Sequence, residues 1–203
     1  MQAVQRIEGL AAPLLRDNVD TDAIIASRDI TSPSRTGLGA RLFAPWRFDA
    51  QGAERPEFIL NREPWRRAAI LIAGANFGCG SSREMAVWAL AEFGIRCVIA
   101  PSFGAIFRDN CIRNSLLPVV LPGATVAALA AEAEAPLTLT VDLQTREVRG
   151  ADGSMHRFDF DAHEREMLLA GLDAIALTWQ RREQIEAFQA RDRERRPWAW
   201  PNH

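Results

Sequence analysis

The chain has 203 residues, of which 48% are hydrophobic and 25% are charged, as is ordinary for a globular protein. The formal net charge of -2 gives no reason to expect nucleic acid or an anionic membrane as a partner. No apolar run reaches the roughly 20 residues needed to span a bilayer, and the polar first nine residues do not resemble a signal peptide. We therefore expect a cytoplasmic protein.

The number and position of the reactive side chains exclude several catalytic mechanisms. The three cysteines, Cys79, Cys97 and Cys111, are too few and too widely spaced for a compact metal motif, so we predict packed thiols and no metal bound by this chain. The chain contains neither lysine nor tyrosine, which excludes a Schiff base or a tyrosine acid. Its three histidines lie outside every motif discussed below, which argues against a histidine-based triad.

The first third of the chain gives weak signals for regular structure. The polar run at 16–22, RDNVDTD, is typical of Asx-type turns. Residues 35–48 contain two glycines, a proline and three aromatic residues, and we interpret them as an irregular loop. The aromatic residues at 43–48, like the Trp-rich segment at 198–200, suit either a partner interface or packing within the chain.

The middle of the chain predicts a strand–helix–strand–helix–strand unit. Short apolar runs at 69–73, 95–100 and 117–121 suit buried strands. Helical patterns at 81–93 and 103–117 separate them. This order with short connections predicts a parallel α/β layer with right-handed crossovers.

The last third predicts smaller elements around this layer. They are an Ala-rich helix at 124–135, strands at 137–142 and 156–160, and helices at 162–170 and 173–190. We expect residues 191–203 to form a frayed or partner-packed tail. Because no linker is evident, we predict one domain over residues 1–203.

The most informative stretch is NFGCGSSRE at 76–84, which leaves a predicted strand and enters a helix. Its glycines allow close approach of the backbone to a ligand, and the unpaired N–H groups of a helix start attract an anion. Arg83 adds a fork of donors suited to a carboxylate. A tight turn in which Ser81 or Ser82 caps the helix explains the pattern equally well. A dinucleotide fingerprint or a P-loop does not, because the third glycine and the lysine are missing.

Residues 76–90, NFGCGSSREMAVWAL, resemble the signature of 3-isopropylmalate dehydratase small subunits and of the swivelling C-terminal domain of aconitases. Segments at 18–22, 35–48, 98–118 and 171–173 resemble the same family in the same order. The likeness covers nearly the whole chain. It implies an α/β swivelling domain with a mainly parallel sheet core, flanking helices and a C-terminal helical extension.

The resemblance also implies an activity, namely the hydro-lyase reaction that interconverts 2-isopropylmalate and 3-isopropylmalate in leucine biosynthesis. In this family a separate large subunit carries a [4Fe-4S] cluster that acts as the Lewis acid. We therefore expect a chain that is active only with a large subunit, that binds a dicarboxylic hydroxy acid and that binds no cluster itself.

Residue roles carry over by motif position. The resemblance implies that Ser81, as an alkoxide, takes the proton from carbon, and that Arg83 and local N–H groups stabilise it. It implies that Arg35, Ser82 and Gly80 bind the substrate. A supporting loop is expected from Asp20, Thr21, Asp22, Asn76 and Cys79.

Blander interpretations of these residues stay open. Ser81 could only cap the helix, and Arg35 could be an ordinary surface residue. A stand-alone anion- or nucleotide-binding module is the alternative from a different class.

The sequence departs from the family at three positions. Met85 stands where the family usually carries histidine, and Arg113 and Ser115 stand where asparagine and glycine or glutamine are more typical. A related substrate, such as 2-methylmalate, dimethylmalate or another alkyl malate, is therefore the alternative within the same class.

Overall fold

The computed structural model describes residues 1–30, 35–81 and 83–200. The strands are β1 (Arg6–Leu14), β2 (Ile70–Ala73), β3 (Cys97–Ala100), β4 (Leu117–Val120), β5 (Leu137–Asp142), β6 (Glu147–Gly150) and β7 (Met155–Arg157). The helices are α1 (Thr21–Ile24), α2 (Ala44–Arg47), α3 (Glu84–Phe93), α4 (Ala105–Arg113), α5 (Gly123–Glu132), α6 (Ala162–Ala170), α7 (Ala174–Trp179) and α8 (Arg182–Arg195). Short 3-10 turns lie at Ser27–Asp29, Gly39–Arg41, Ile59–Asn61, Trp65–Arg67 and Pro197–Ala199.

All seven strands form one sheet in the order β4-β3-β2-β1-β5-β6-β7. Strands β1 to β4 run parallel to one another, and β5 to β7 extend the sheet from β1 with antiparallel pairings. The predicted parallel α/β layer is confirmed, with α3 and α4 as the connections between its strands. The antiparallel side adds β6 (Glu147–Gly150), which the sequence analysis did not predict.

The core lies around the parallel strands. Every residue of β2 and of β3 is buried, as strands covered on both faces require. Helix α3 buries Ala86, Val87, Ala89 and Leu90, and Gly94 ends it in the left-handed conformation. These four residues belong to the same buried cluster as Leu71 and Val98 of the strands.

The central strand β1 was missed. Its sequence, RIEGLAAPL, carries Gly9 and Pro13 and lacks a continuous apolar run. The pairing with β5 covers Arg6 to Ala11, and the pairing with β2 covers Ala11 to Leu14. Pro13 therefore lies beyond the end of one ladder, where its missing N–H is tolerated.

Several predicted boundaries were wrong. Helix α4 begins at Ala105 rather than at 103, because Gly104 before it has an extended backbone with a ψ of 131° and serves as the N-cap. It ends before Ser115, which has a left-handed φ of 59°. Strand β7 spans Met155–Arg157 rather than 156–160. The predicted helix at 173–190 is two helices, α7 and α8, and α8 continues into the predicted tail as far as Arg195.

The chain divides into two compact units, Met1–Gly171 and Leu172–His203. The second unit contains α7 and α8, and α8 buries none of its residues. Its Trp200 N–H donates to the Asp192 carboxylate at 3.0 Å, and Trp198 is 79% exposed. The single-domain interpretation stays a prediction.

The aromatic residues at 43–48 pack within the first unit. Phe43 is fully buried and stacks on Trp46 with ring centroids 5.5 Å apart. Phe58 lies against both rings. The structure therefore shows packing of these rings within the chain, which is one of the two interpretations of this loop. Among the described residues, every helix is too short or too polar to cross a membrane.

Candidate active site

The segments that follow β1, β2 and β3 meet at one edge of the sheet. Because the strands are parallel, their carboxyl ends lie together, and ligands commonly bind at this edge of α/β sheets. The Gly-rich turn at 74–83 follows β2, the polar run at 16–22 follows β1, and Ser102 follows β3. All but one of the predicted site residues come from the first two of these segments.

Backbone hydrogen bonds hold the turn on two sides. On the β1 side, Gly78 donates to the Val19 carbonyl at 2.7 Å, and the Cys79 carbonyl accepts from the Thr21 N–H at 3.0 Å. On the β3 side, Phe77 donates to the Ser102 carbonyl at 3.1 Å. The turn therefore lies between its neighbours as a short irregular extension of the sheet.

Gly78 is required at the centre of this turn. It has a φ of +73°, and a Cβ built on it would lie 2.1 Å from a ring carbon of Phe107. Glycine alone adopts this backbone without strain and leaves room for the ring. The Phe107 ring in turn meets Phe77 edge-on, with centroids 5.5 Å apart, so the turn rests on an aromatic base.

Ser81 is exposed at the end of the turn. Its backbone carbonyl accepts a hydrogen bond from the hydroxyl of Thr21 at 2.9 Å. Thr21 is only 1% exposed, and Asp20 before it caps α1 by accepting from the Ala23 N–H at 2.7 Å. The run at 20–22 thus fixes the backbone of Ser81, while the side chain of Ser81 is open to a ligand.

Arg83 occupies the N-cap position of α3, and its side chain makes no capping bond. Its Nη1 forms an ion pair with Asp22 and donates to the Ile25 carbonyl at 3.4 Å. The hydrogen bond from Arg83 holds the pKa of Asp22 below its ordinary value, against the opposing effect of burial. The alternative in which Ser81 only caps the helix does not hold, because the N-cap position of α3 is two residues later, at Arg83. Ser82 lies outside the described residues.

Arg35 lies against α3. Its guanidinium carbon is 4.6 Å from the ring centroid of Trp88, a cation–π distance. The indole N–H of Trp88 donates to Asn114 at 2.9 Å, and the Asn114 amide donates to Glu84 at 2.8 Å. Glu84 is the first residue of α3. Arg35, from the loop, therefore contacts the same helix that Arg83 begins.

The loop after Arg35 is tied to the same helix. The two carboxylate oxygens of Glu92 accept from the N–H groups of Gly37 at 2.6 Å and Gly39 at 2.7 Å. Burial raises the pKa of Glu92, but bonds from the amides of Gly39, Gly37 and Leu38 outweigh it, so the pKa lies below its ordinary value. Glu92 is therefore a carboxylate at neutral pH.

Asn76 and Cys79 support the turn. Asn76 has a φ of 56°. Its backbone N–H donates to the Ser102 hydroxyl oxygen at 2.8 Å, and its side-chain amide donates to the Asn18 side chain at 2.9 Å. Cys79 is half-buried and unbonded to another thiol. Both residues lie in the turn, as the expected supporting loop requires.

The cysteines do not suit an iron–sulfur cluster. Cys97 and Cys111 are fully buried, and burial raises the pKa of each thiol, whereas cluster ligands are thiolates. Within the described ranges, no group of three His, Cys, Asp or Glu side chains is arranged to hold a metal ion. The buried pair Cys97 and Cys111 therefore does not suit cluster ligation.

Comparison with known proteins decides the family. The profile of the aconitase C-terminal domain matches residues 1–124, and that of LeuD_N matches residues 127–162. The 3-isopropylmalate dehydratase small subunit of Cupriavidus necator is 58% identical over 94% of each chain, and that of Rhodospirillum centenum is 51% identical over 98% of this chain and 99% of its own. A solved 3-isopropylmalate dehydratase structure from Methanocaldococcus jannaschii, 30% identical, superposes with a TM-score of 0.65 over 91% of this chain and 99% of that one.

The chain belongs to the family of 3-isopropylmalate dehydratase small subunits. The predictions of an aconitase-type fold and of a 3-isopropylmalate dehydratase-type hydro-lyase subunit are confirmed. In this family member, the residues predicted from the motif, Ser81, Gly80 and Arg83, lie in one turn, with the supporting run at 20–22 beside them.

The sequence analysis missed three side chains near Arg35. Trp88, Asn114 and Glu92 organise the surroundings of Arg35. Trp88 is half-buried, and the Arg35 guanidinium lies over its ring. The local sequence does not predict the roles of Glu92 and Asn114. Their side-chain hydrogen bonds reach partners at least 26 residues away, except for one bond from Asn114 to the Asn110 carbonyl.

Proposed function

We propose that this chain acts with a large subunit to interconvert 2-isopropylmalate and 3-isopropylmalate by dehydration and rehydration in leucine biosynthesis. The observation that carries the proposal is the turn after β2, which presents Ser81 to solvent while Thr21 fixes its backbone. Arg83, two residues later, adds a positive charge at the start of α3. This is a small anion-stabilising site with a hydroxyl at its centre.

Ser81 is the group that accepts the proton from carbon. A free hydroxyl is a weak base at neutral pH, so it must be held as an alkoxide by nearby donors and positive charge. The start of α3 offers backbone N–H groups, and the side chain of Arg83 at the N-cap position makes no bond to them. The bond from Thr21 fixes the backbone of Ser81 beside these donors, so little backbone reorganisation accompanies proton transfer.

Arg83 stabilises the negative charge on Ser81 and on the substrate. Among the described residues, its recorded bonds run through Nη1, to Asp22 and to Ile25. A guanidinium has five N–H donors in a rigid fork, so Nε and Nη2 serve a carboxylate or alkoxide while Asp22 sets the orientation. Gly80, with a φ of +87° and an exposed backbone, and Ser82 complete the substrate contacts.

Arg35 binds a substrate carboxylate. The guanidinium carbon of Arg35 lies over the Trp88 ring, 4.6 Å from its centroid, and the planar fork of N–H donors suits a bidentate contact with a carboxylate. A dicarboxylic hydroxy acid thus meets two arginines, Arg35 from the loop and Arg83 from the helix start, both adjacent to α3.

We place the [4Fe-4S] cluster on the large subunit, as the family resemblance implies; in this chain burial raises the pKa of the Cys97 and Cys111 thiols. The cluster contributes the Lewis acid for the hydroxyl group, and this chain contributes the base and the carboxylate contacts. The exposed turn at 80–81 is the surface that we place against the large subunit. The three free thiols agree with a location in the reducing cytoplasm.

Met85 is the observation that favours a second substrate. It stands in the first turn of α3, half-buried against the core cluster, where the family usually carries histidine. An apolar side chain so close to the helix start alters the polarity near the substrate. A related alkyl malate, such as 2-methylmalate, is therefore the second candidate.

The test is an assay of the two-subunit complex. This chain is co-purified with its large subunit, the cluster is reconstituted without oxygen, and kcat/KM is measured for 3-isopropylmalate and 2-methylmalate from the absorbance of the unsaturated product. We expect 3-isopropylmalate to be preferred. A preference for 2-methylmalate would assign the second function, and the Met85→His variant would then show whether that residue sets the choice.

A further inference from the structure

One carboxylate, that of Glu92, bonds the loop that carries Arg35 to α3. Each oxygen of Glu92 accepts from a different backbone N–H, that of Gly37 at 2.6 Å and that of Gly39 at 2.7 Å. Gly39 lies so close to the helix that an added Cβ would be 2.8 Å from the Phe93 nitrogen. The loop is therefore seated on the second half of α3.

Arg35 lies two residues before this attachment and stacks on Trp88, which precedes Glu92 by four residues on the same helix. Residues four apart share one face of a helix. The Trp88 ring is held by its bond to Asn114. One helical face thus provides both the surface under the Arg35 guanidinium and the anchor for its backbone.

The charge of Glu92 matters to this contact. An ionised carboxylate accepts hydrogen bonds with both oxygens, and such bonds are about twice as strong as neutral ones. A glutamine at this position would turn an NH2 group toward one of the two amides, and two donors cannot bond each other. Loss of the charge therefore removes at least one of the two attachments without changing the size of the side chain.

We propose that Glu92 is a positioning residue that sets the place of Arg35 in the substrate site. The inference rests on the proposed role of Arg35 in carboxylate binding. Glu92 acts through the loop backbone at 37–39 and does not touch the substrate. Because Arg35 binds a carboxylate that does not react, Glu92 affects substrate binding more than the chemical step.

The experiment uses the reconstituted two-subunit complex and 3-isopropylmalate. Wild type, Glu92→Gln, Arg35→Ala and the double variant are compared by kcat and KM. We expect Glu92→Gln to raise KM about tenfold with kcat within about twofold of wild type. In the Arg35→Ala background, the same change should raise KM less than about twofold, because the residue through which it acts is gone. Glu132→Gln, an exposed glutamate at the end of α5, should match wild type.

Two kinetic results overturn the proposal. One is an unchanged KM in Glu92→Gln. The other is an equal rise in KM in both backgrounds, which would mean that Glu92 acts independently of Arg35.

Hydrogen exchange of the complex separates this inference from the proposed function. The peptide covering residues 37–39 should exchange faster in Glu92→Gln than in Glu132→Gln, whatever the substrate. If the wild-type complex fails to turn over 3-isopropylmalate, the proposed function falls, while faster exchange still supports the attachment by Glu92. Unchanged exchange overturns the inference even if the enzyme is fully active.

Discussion

The hydroxyl of Thr21 donates to the backbone carbonyl of Ser81 at 2.9 Å, joining positions 60 residues apart in sequence. The N–H of Thr21 also donates to the Cys79 carbonyl at 3.0 Å. One buried threonine therefore holds two points of the turn, which gives the polar run after β1 a definite function in supporting the site.

Replacing Thr21 with valine keeps the volume and removes the hydroxyl. The Ser81 carbonyl then loses its donor, and we expect the free energy of unfolding to fall by about 1 kcal/mol. Activity of the complex should fall with it, since the Ser81 backbone is no longer fixed. Thr21→Ser, which retains the hydroxyl, should keep more of the activity than Thr21→Val. Equal activity in the two variants would show that the hydrogen bond is dispensable.

Gly78→Ala tests the packing of the turn. The new Cβ meets the Phe107 ring and the backbone has a positive φ, so we expect a loss of about 3 kcal/mol or more in unfolding free energy, from backbone strain and overpacking together. Gly153→Ala is the matched control, because Gly153 has a φ of +86° with nothing within 4 Å of its Cβ position. It should lose about 1 kcal/mol, from the backbone alone. Similar losses in urea unfolding would contradict the packing argument.

The Arg83–Asp22 pair predicts a change in titration. The pKa of Asp22 is held low by the hydrogen bond from Arg83, so it should rise toward its ordinary value in Arg83→Gln. Carboxyl chemical shifts of Asp22 followed by NMR between pH 2 and 6 would measure it. Because the folded pKa lies below the unfolded one, the pair stabilises the fold above about pH 4 and loses this effect as the pH falls through the folded value. An identical Asp22 titration in both proteins would show that the pair does not form in solution.

Thiol reactivity should divide the three cysteines. Cys97 and Cys111 are fully buried and burial raises the pKa of both, whereas Cys79 is half-buried in the exposed turn. Since the thiolate is the reactive form, iodoacetamide at pH 8 should label Cys79 of the native chain and all three cysteines in denaturant. Mass spectrometry of the digested protein reads out each site. Rapid native labelling of Cys97 would contradict the burial of β3.

The parts of the fold that the sequence predicts are those with strong local signals. The runs that became β2 and β3 are short, continuous and apolar, and Gly94 marks the end of α3. Strand β1 lacks such a signal because Gly9 and Pro13 interrupt its apolar residues. Its pairing with β2 and β5 accommodates both, and that pairing is not visible in the local sequence. The break between α7 and α8 lies at Gln180 and Arg181, where the sequence contains neither glycine nor proline to indicate the end of a helix.

The candidate site also has a part that the local sequence predicts and a part that it does not. Ser81, Arg83 and Gly78 follow from one contiguous motif, and the structure places them in one turn. The arrangement around Arg35 does not, because Trp88 and Glu92 are brought to it by the path of the loop over α3. Contacts between residues more than 50 positions apart depend on packing that no local pattern encodes.

The most direct test of the account is the activity of the reconstituted complex with Ser81→Ala. If Ser81 is the base, kcat for 3-isopropylmalate dehydration should fall by about 10²- to 10⁴-fold, the usual contribution of general acid–base catalysis, with the cluster absorbance and the subunit association unchanged. Ser154→Ala, in the turn between β6 and β7, should behave as wild type. Full activity in Ser81→Ala would contradict the central claim and remove this hydroxyl from the chemistry.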